Sequence, residues 1–457
     1  MTARHLSYPD HARAVMALGL PLVGGHLAQF LIGLTDTMMI GWYGAEELAA
    51  LTLAHSAFFT LFLLGAGVAW AVMPLVASYA ARDDQVMIRR ATRMALWLSL
   101  IFCALSAPVL WFSGPLLRLL GQTEGVAANA QIYLRIALFG MAPALGMLVI
   151  KSYLAGLEHT RIVFWVTCLA AALNVGFNWV LIFGNLGFPA LGIRGAAIAS
   201  VLTHGVSLAG CIAYARARLP EHNLFVRFWR PDWEVFVQVF RLGWPIGLTN
   251  LSEVALFAGS AVLMGWLGTV PLAAHGISVQ LATAAFMVHM GLSNAATIRA
   301  GNAFGRGDAD HLARGAWTVL ALSAIASLLT VALFLLAPAP LVGAFLDPDD
   351  PDRAAIVASG VTLLAVAALF QLVDGAQVVA LGVLRGVQDT RVPMWMAAFA
   401  YWGVGMPAAL GFGFWLGWGG PGVWLGLVLG LAAAAVLLLA RFWGRTLPRF
   451  HNTAATA

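Results

Sequence analysis

LGLPLVGGHLAQFLIGLTDTMMIGW, residues 18–42, and LGWPIGLTNLSEVALFAGSAVLMGW, residues 242–266, read onto one another at a shift of 224. Each is an apolar run of at least the ~20 residues a helix needs to cross a bilayer. Leu18, Gly19 and Pro21 fall on Leu242, Gly243 and Pro245, and Gly41-Trp42 falls on Gly265-Trp266. The register persists outward: Gly44 meets Gly268, Leu48-Ala49-Ala50 meets Leu272-Ala273-Ala274, Gly67 meets Gly291 and Arg82 meets Arg306. Later the offset becomes 230, which joins GLEHTR at 156–161 to GVQDTR at 386–391 and Gly192 to Gly422. The chain is duplicated, and that fact governs how every motif in it is read.

Composition agrees with a lipid solvent. Of 457 residues, 61% are hydrophobic and 10% charged, against roughly 45–50% and 25% in soluble domains. A soluble enzyme and a disordered chain are both excluded. Cys103, Cys168 and Cys211 lie inside apolar runs, where they act as small hydrophobes and imply neither a disulfide nor a redox role. The net charge of +5 is almost wholly arginine in short loops, with Lys151 the single lysine, so it marks topology and not nucleic acid.

Twelve spans are expected, at 14–38, 49–74, 93–113, 130–154, 162–184, 193–214, 238–263, 273–297, 315–338, 355–381, 393–417 and 421–441. The first run continues to full length without a small-residue cleavage site and reads as a helix, not a signal peptide. The amino terminus with Arg4 and Arg13, the even-numbered loops and the tail with Arg441, Arg445 and Arg449 hold 21 of the 25 basic residues. Positive short loops stay inside, so both termini are expected in the cytoplasm of a bacterial-type inner membrane. Arg135 is the one base expected deep in a span.

Six spans per unit make the repeat parallel. The expected lobes are 1–214 and 238–457, joined by a cytoplasmic linker at 215–237. Parallel repeats of this kind are found in secondary transporters, where substrate binds near the bilayer midplane between the halves. No His-Glu-x-x-His, Gly-x-Ser-x-Gly or Walker loop is present, so an enzyme is not expected.

Three acids fall inside spans: Asp36, Glu253 and Asp374. A carboxylate at a helix centre costs roughly 2.5–3.5 kcal/mol, which makes each a functional candidate unless a base pairs with it. Polar neighbours share their faces. Asn250 and Glu253 are three apart, as are Gln371, Asp374 and Gln377, while Gln29 and Asp36 are seven apart and Asn174 and Asn178 one turn apart. Gln29, Asn250, Gln371 and Gln377 are therefore candidates for lining a substrate cavity, although amides also serve simply to bind helices together. Glu253 aligns with Gln29, Asp36 with Ser260 and Asp374 with Ala144, so each lobe is expected to carry its own cation or proton chemistry.

These passages, with LNVGFNWVLIFGNLGFPALGIRGAAIAS at 173–200 and FQLVDGAQVVALGVLRGVQDTRVP at 370–393, resemble the multidrug and toxic compound extrusion (MATE) transporters, in particular the NorM-like branch. The resemblance covers about residues 14 to 445. It implies an all-α membrane protein of twelve helices in two six-helix bundles forming a V. It also implies export of small organic, often cationic, compounds in exchange for sodium ions or protons, with no other cofactor. Asp36 resembles the family's first-helix acid, with Asn174, Asn178 and Ser200 completing a coupling-ion site that would take Na+ at Asp36, Asn174 and Asn178. Glu253 and Asp374 match the acids of the NorM-like branch, where members can place a Tyr one turn before the second acid. Phe370 stands there in this chain, which removes one oxygen from a sodium site and shifts the balance toward a proton. Membrane lipid is the other expected partner, nucleic acid is not, and a monomer is expected. The alternative reading is a lipid-linked oligosaccharide flippase of a related family, which would hold diphosphate with several arginines inside its spans.

Overall fold

A computed structural model of the chain describes residues 6–450, so Arg4 and both termini lie outside the described residues. Among the described residues, twelve helices are long and apolar enough to cross a membrane: α1 Tyr8–Tyr43, α2 Glu47–Ala80, α3 Gln85–Trp111, α4 Glu124–Gly156, α5 Thr160–Phe183, α6 Ile193–Arg218, α7 Trp233–Leu267, α8 Thr269–Arg306, α9 Ala309–Leu336, α10 Arg353–Gly386, α11 Arg391–Trp415 and α12 Gly419–Phe450. Each contains its expected apolar run to within two residues. Many continue several residues beyond it. The chain is a multi-pass membrane protein. Two short helices not expected from hydropathy, Ser113–Leu119 and Pro338–Gly343, follow α3 and α9 at corresponding places in the repeat.

The repeat also fixes helix starts. The Asp84 carboxylate accepts from the Met87 backbone N–H at 3.0 Å and caps α3, and Asp308 accepts from His311 N–H at 2.9 Å and caps α9. These two caps stand 224 residues apart and each satisfies a donor the helix cannot. At the other end of a helix, Gly184 closes α5 in the left-handed region at φ 75°, where a side chain would be strained.

By contact the chain forms two compact units. One runs from Gly24 to Leu248, and the other joins the chain up to Val23 to everything from Thr249 onward. The expected lobes, 1–214 and 238–457, count whole spans, whereas the contact boundaries fall within α1 and α7. Both boundaries lie just after a proline inside the helix, Pro21 and Pro245. Proline removes one backbone donor and pushes away the carbonyl four residues back, so a long helix readily changes direction there.

Within the unit from Gly24 to Leu248, α2 packs on α3 and α4, and α4 on α6. The first half of α7 approaches α2 most closely at glycines: a Cβ on Gly67 would stand 2.4 Å from Gly247 N and 2.5 Å from Gly243 O. In the other unit, α10 packs on α8, α9 and α12. There Gly291 of α8, the repeat partner of Gly67, stands in the same relation to α1, with a Cβ 2.6 Å from Val23 N. Small residues allow such backbone approach, and van der Waals packing is what holds helices together in lipid.

Gly67→Leu is therefore expected to force α2 and α7 apart, at or above the upper end of the ~1–3 kcal/mol that overpacking costs. The check is thermal unfolding in detergent beside Gly33→Ala, where a Cβ meets nothing within 4 Å. Gly67→Leu should melt lower or fail to give monodisperse protein, and Gly33→Ala should match wild type. Equal melting of the two variants would contradict the contact.

Candidate cation sites

In the unit from Gly24 to Leu248, α1 supplies Asp36 and α5 supplies Asn174 and Asn178. The one-turn spacing of the asparagines stacks them on one face. Asn178 Nδ2 donates to Asp36 Oδ1 at 2.5 Å and to Asn174 Oδ1 at 3.2 Å. Both asparagines are buried, and Asn178 Oδ1 and Asn174 Nδ2 have no hydrogen-bond partner. Ser200 on α6 donates to its own helix at Ala196 O, 3.1 Å. Tyr133 of α4, not singled out from sequence, reaches Ser200 with its hydroxyl and stands near enough to Asp36 to feel its charge. Gln29 is exposed on α1 and is hydrogen-bonded to none of these groups.

In the other unit, α7 and α10 bring Glu253 and Asp374 together as like charges. Gln377 Nε2 links Glu253 Oε1 at 3.5 Å to the Tyr401 hydroxyl at 2.5 Å. Tyr401 is fully buried and sits in a π-helical turn of α11, Phe399–Gly405. Such turns shift the register of a helix and recur at functional sites. Phe370, one turn before Asp374, is wedged edge-on between Phe257 and Trp424 with ring centroids 5.7 and 5.8 Å away. A phenol oxygen nevertheless enters the cluster, from Tyr401 on a different helix. Asp374 is 2% exposed, and its Oδ1, with Gln377 Oε1, finds no donor.

Asn250 is joined to a residue expected in a loop. Arg385 lies within α10, donates from Nη2 to Asn250 Oδ1 at 2.8 Å, and attracts Glu253 without closing to ion-pair contact. Among the described residues, then, Arg135 is not the one base inside a span. Arg135 donates to the carbonyl of Trp111 at 3.0 Å and stacks 5.2 Å over its ring, at the end of α3. Lys151 and Arg385 lie within α4 and α10, Lys151 donating to Thr167 Oγ1 at 2.8 Å. The error came from treating a base near a helix end as loop. Arg385 is eleven residues, just over three whole turns, beyond Asp374, and that spacing alone puts both on one face. For Tyr401 and Tyr133 the sequence offers no such signal.

Gln371 turns its amide N–H and backbone carbonyl toward α8 and α9, and its Oε1, like that of Gln377, finds no donor. Gln371 Nε2 donates to Ala282 O at 3.4 Å, its backbone carbonyl accepts from Ser327 at 3.0 Å, and Ser323 lies 2.9 Å from His289 Nδ1. His275 likewise accepts from the Trp424 indole at 3.1 Å. Both histidines are buried and hydrogen-bonded, as structural polar groups are.

The MatE family model matches residues 21–180 and again 245–410, two copies whose starts are separated by the shift of the repeat. The chain is 47% identical over 442 residues to a probable multidrug resistance protein NorM of Rhizobium meliloti (strain 1021), covering 96% of this chain and 94% of that one. It is 43% identical to the protein of the same name in Agrobacterium fabrum (strain C58 / ATCC 33970), over 95% and 94% of the two chains. A crystal structure of MATE in complex with MaL6 superposes with a TM-score of 0.88 at 22% identity, covering 97% of each chain.

Proposed function

Since the chain belongs to the MatE family, we propose that it exports small organic, often cationic, compounds across a bacterial-type inner membrane in exchange for protons or sodium ions. The observation that carries this reading is Asp374, buried with a carboxylate oxygen that finds no donor, beside the half-buried Glu253 and the equally unmatched Gln377 Oε1. Buried polar groups are ordinarily paired, so an orphaned carboxylate oxygen beside a second acid calls for a proton or a small cation. Oxygen ligands of this kind also suit a hard ion such as sodium. Asp36 with Asn174, Asn178 and Ser200 provides a second such group in the other unit. In this reading Gln29 and Asn250 serve the substrate path, and Gln371 holds helices. The arginine bias of the loops supports cytoplasmic termini, and the protein acts as a monomer.

Coupling follows from differential affinity. If drug and coupling ion favour different conformations, binding one depopulates the state that binds the other, and the two travel in opposite directions. One charge crossing 100 mV supplies about 2.3 kcal/mol, enough for roughly a fifty-fold concentration ratio of a coupled solute. A flippase for lipid-linked diphosphates would need several arginines gathered deep inside its spans, away from the helix ends. Arg385 is instead tied to Asn250 in one unit, and Lys151 to Thr167 in the other.

The test is competition at equilibrium. Binding of ethidium to purified protein, read by fluorescence polarisation, should weaken as either proton or sodium concentration rises, and Asp36→Asn should reduce that dependence. Affinity independent of both cations in the wild type would overturn exchange.

A further inference from the structure

The loop between α6 and α7, with the first turns of α3, carries positive charge that the cation sites do not use. Arg90 donates to Asp232 Oδ2, and that guanidinium holds the Asp232 carboxyl below its ordinary range, so it is ionised and engaged. Arg93 is only 7% exposed, yet its Nε has no partner. Its Nη1 donates to the Arg227 carbonyl at 3.0 Å, and the Trp97 indole donates to the Phe228 carbonyl at 3.0 Å, pinning the loop to α3. Arg89, Arg90 and Arg230 all bear on Arg93 as like charges, and Asp232 is the carboxylate that opposes them. Glu234, the next acid, is 4.0 Å from Arg90 and almost fully exposed. Arg89 and Arg230 make no ion pair among the described residues.

A buried guanidinium among like charges with a free N–H lacks an anion. Where that anion comes from is decided by depth. The cluster sits at the opening turns of two helices long and apolar enough to span, α3 from Gln85 and α7 from Trp233, and the apolar runs begin only at 93 and 238, so lipid headgroups are expected at this level. Trp229, Trp233 and Val226 are exposed beside it, at 76%, 64% and 51%. Tryptophan concentrates at the membrane–water boundary, and arginine grips phosphate through paired N–H bonds. We propose that Arg89, Arg93 and Arg230, flanked by Trp229 and Trp233, form a site for the phosphate of an anionic phospholipid headgroup. The site rests on the membrane-spanning fold alone, and it stands whether or not the export reading does.

The experiment offers purified full-length protein equal amounts of phosphatidylglycerol and phosphatidylcholine and counts retained lipid by native mass spectrometry. Wild type should retain phosphatidylglycerol about tenfold over phosphatidylcholine, and Arg89→Gln/Arg230→Gln should lower that preference severalfold, as expected for removing two charges at the bilayer surface. Both substituted side chains are at least partly open to solvent, and an unchanged melting temperature shows that the variant is folded. If it does not fold, the single Arg230→Gln variant, on an exposed loop residue, carries the comparison. Equal retention of the two lipids by wild type, or an undiminished preference in a folded variant, overturns the site. Displacement of phosphatidylglycerol by millimolar inorganic phosphate also overturns it, by making the ligand a free anion.

Discussion

Asp374→Asn is expected to cut gradient-driven export by reconstituted protein to about 1% of wild type or less, because a site that no longer distinguishes loaded from empty cannot shift the conformational equilibrium. The substitution keeps the volume of the side chain and removes only its capacity for charge. Since a carboxylate at a helix centre costs roughly 2.5–3.5 kcal/mol, and Asp374 Oδ1 is matched by no donor, the variant should melt no lower than wild type. Loss of export with unchanged melting is the expected pair of results. Normal export would remove Asp374 from the mechanism, and a large fall in melting temperature would make it a structural group.

Arg385→Gln should have the second-largest effect, and on stability as well as transport. In wild type the guanidinium is the positive charge within reach of Glu253, held there by Asn250. Both groups are half-buried, so removing one leaves the other partly uncompensated, at a cost below the about 3–5 kcal/mol of a fully buried pair. The destabilisation should be partly reversed in Arg385→Gln/Glu253→Gln, where no acid is left at 253 to compensate. A double-mutant cycle on unfolding in detergent should give a coupling energy within the ~0.5–3 kcal/mol seen for interacting neighbours. Additive losses would mean that Arg385 and Glu253 do not act on each other.

Much of this architecture was legible before any coordinates. Twelve apolar runs became twelve helices because hydrocarbon leaves the backbone no other way to satisfy its polar groups. The shift of 224 survives as matched caps at Asp84 and Asp308 and as matched close approaches at Gly67 and Gly291. The change of packing partners at Pro21 and Pro245 was not legible, since hydropathy reports which residues avoid water and not which helix they touch. Of the candidate residues, Asp36 comes together with Asn174 and Asn178, as the family resemblance implied, and Glu253 with Gln377 and Asp374, of which helical spacing had joined only the last two. Gln371 and Gln377 could not be told apart from sequence. Both lie within a turn of Asp374, but one faces α8 and α9 and the other Tyr401. Tyr401 itself depends on a π-helical turn, and a register shift of that kind leaves no periodic mark.

The most direct test of coupled export uses liposomes containing the purified protein and ethidium, with a sodium gradient and a pH gradient imposed in separate experiments. At least one gradient should drive ethidium against its own concentration difference, an ionophore that collapses that gradient should stop it, and Asp374→Asn should not support it. Movement of ethidium only down its own gradient, indifferent to both cations and to the substitution, would contradict the account.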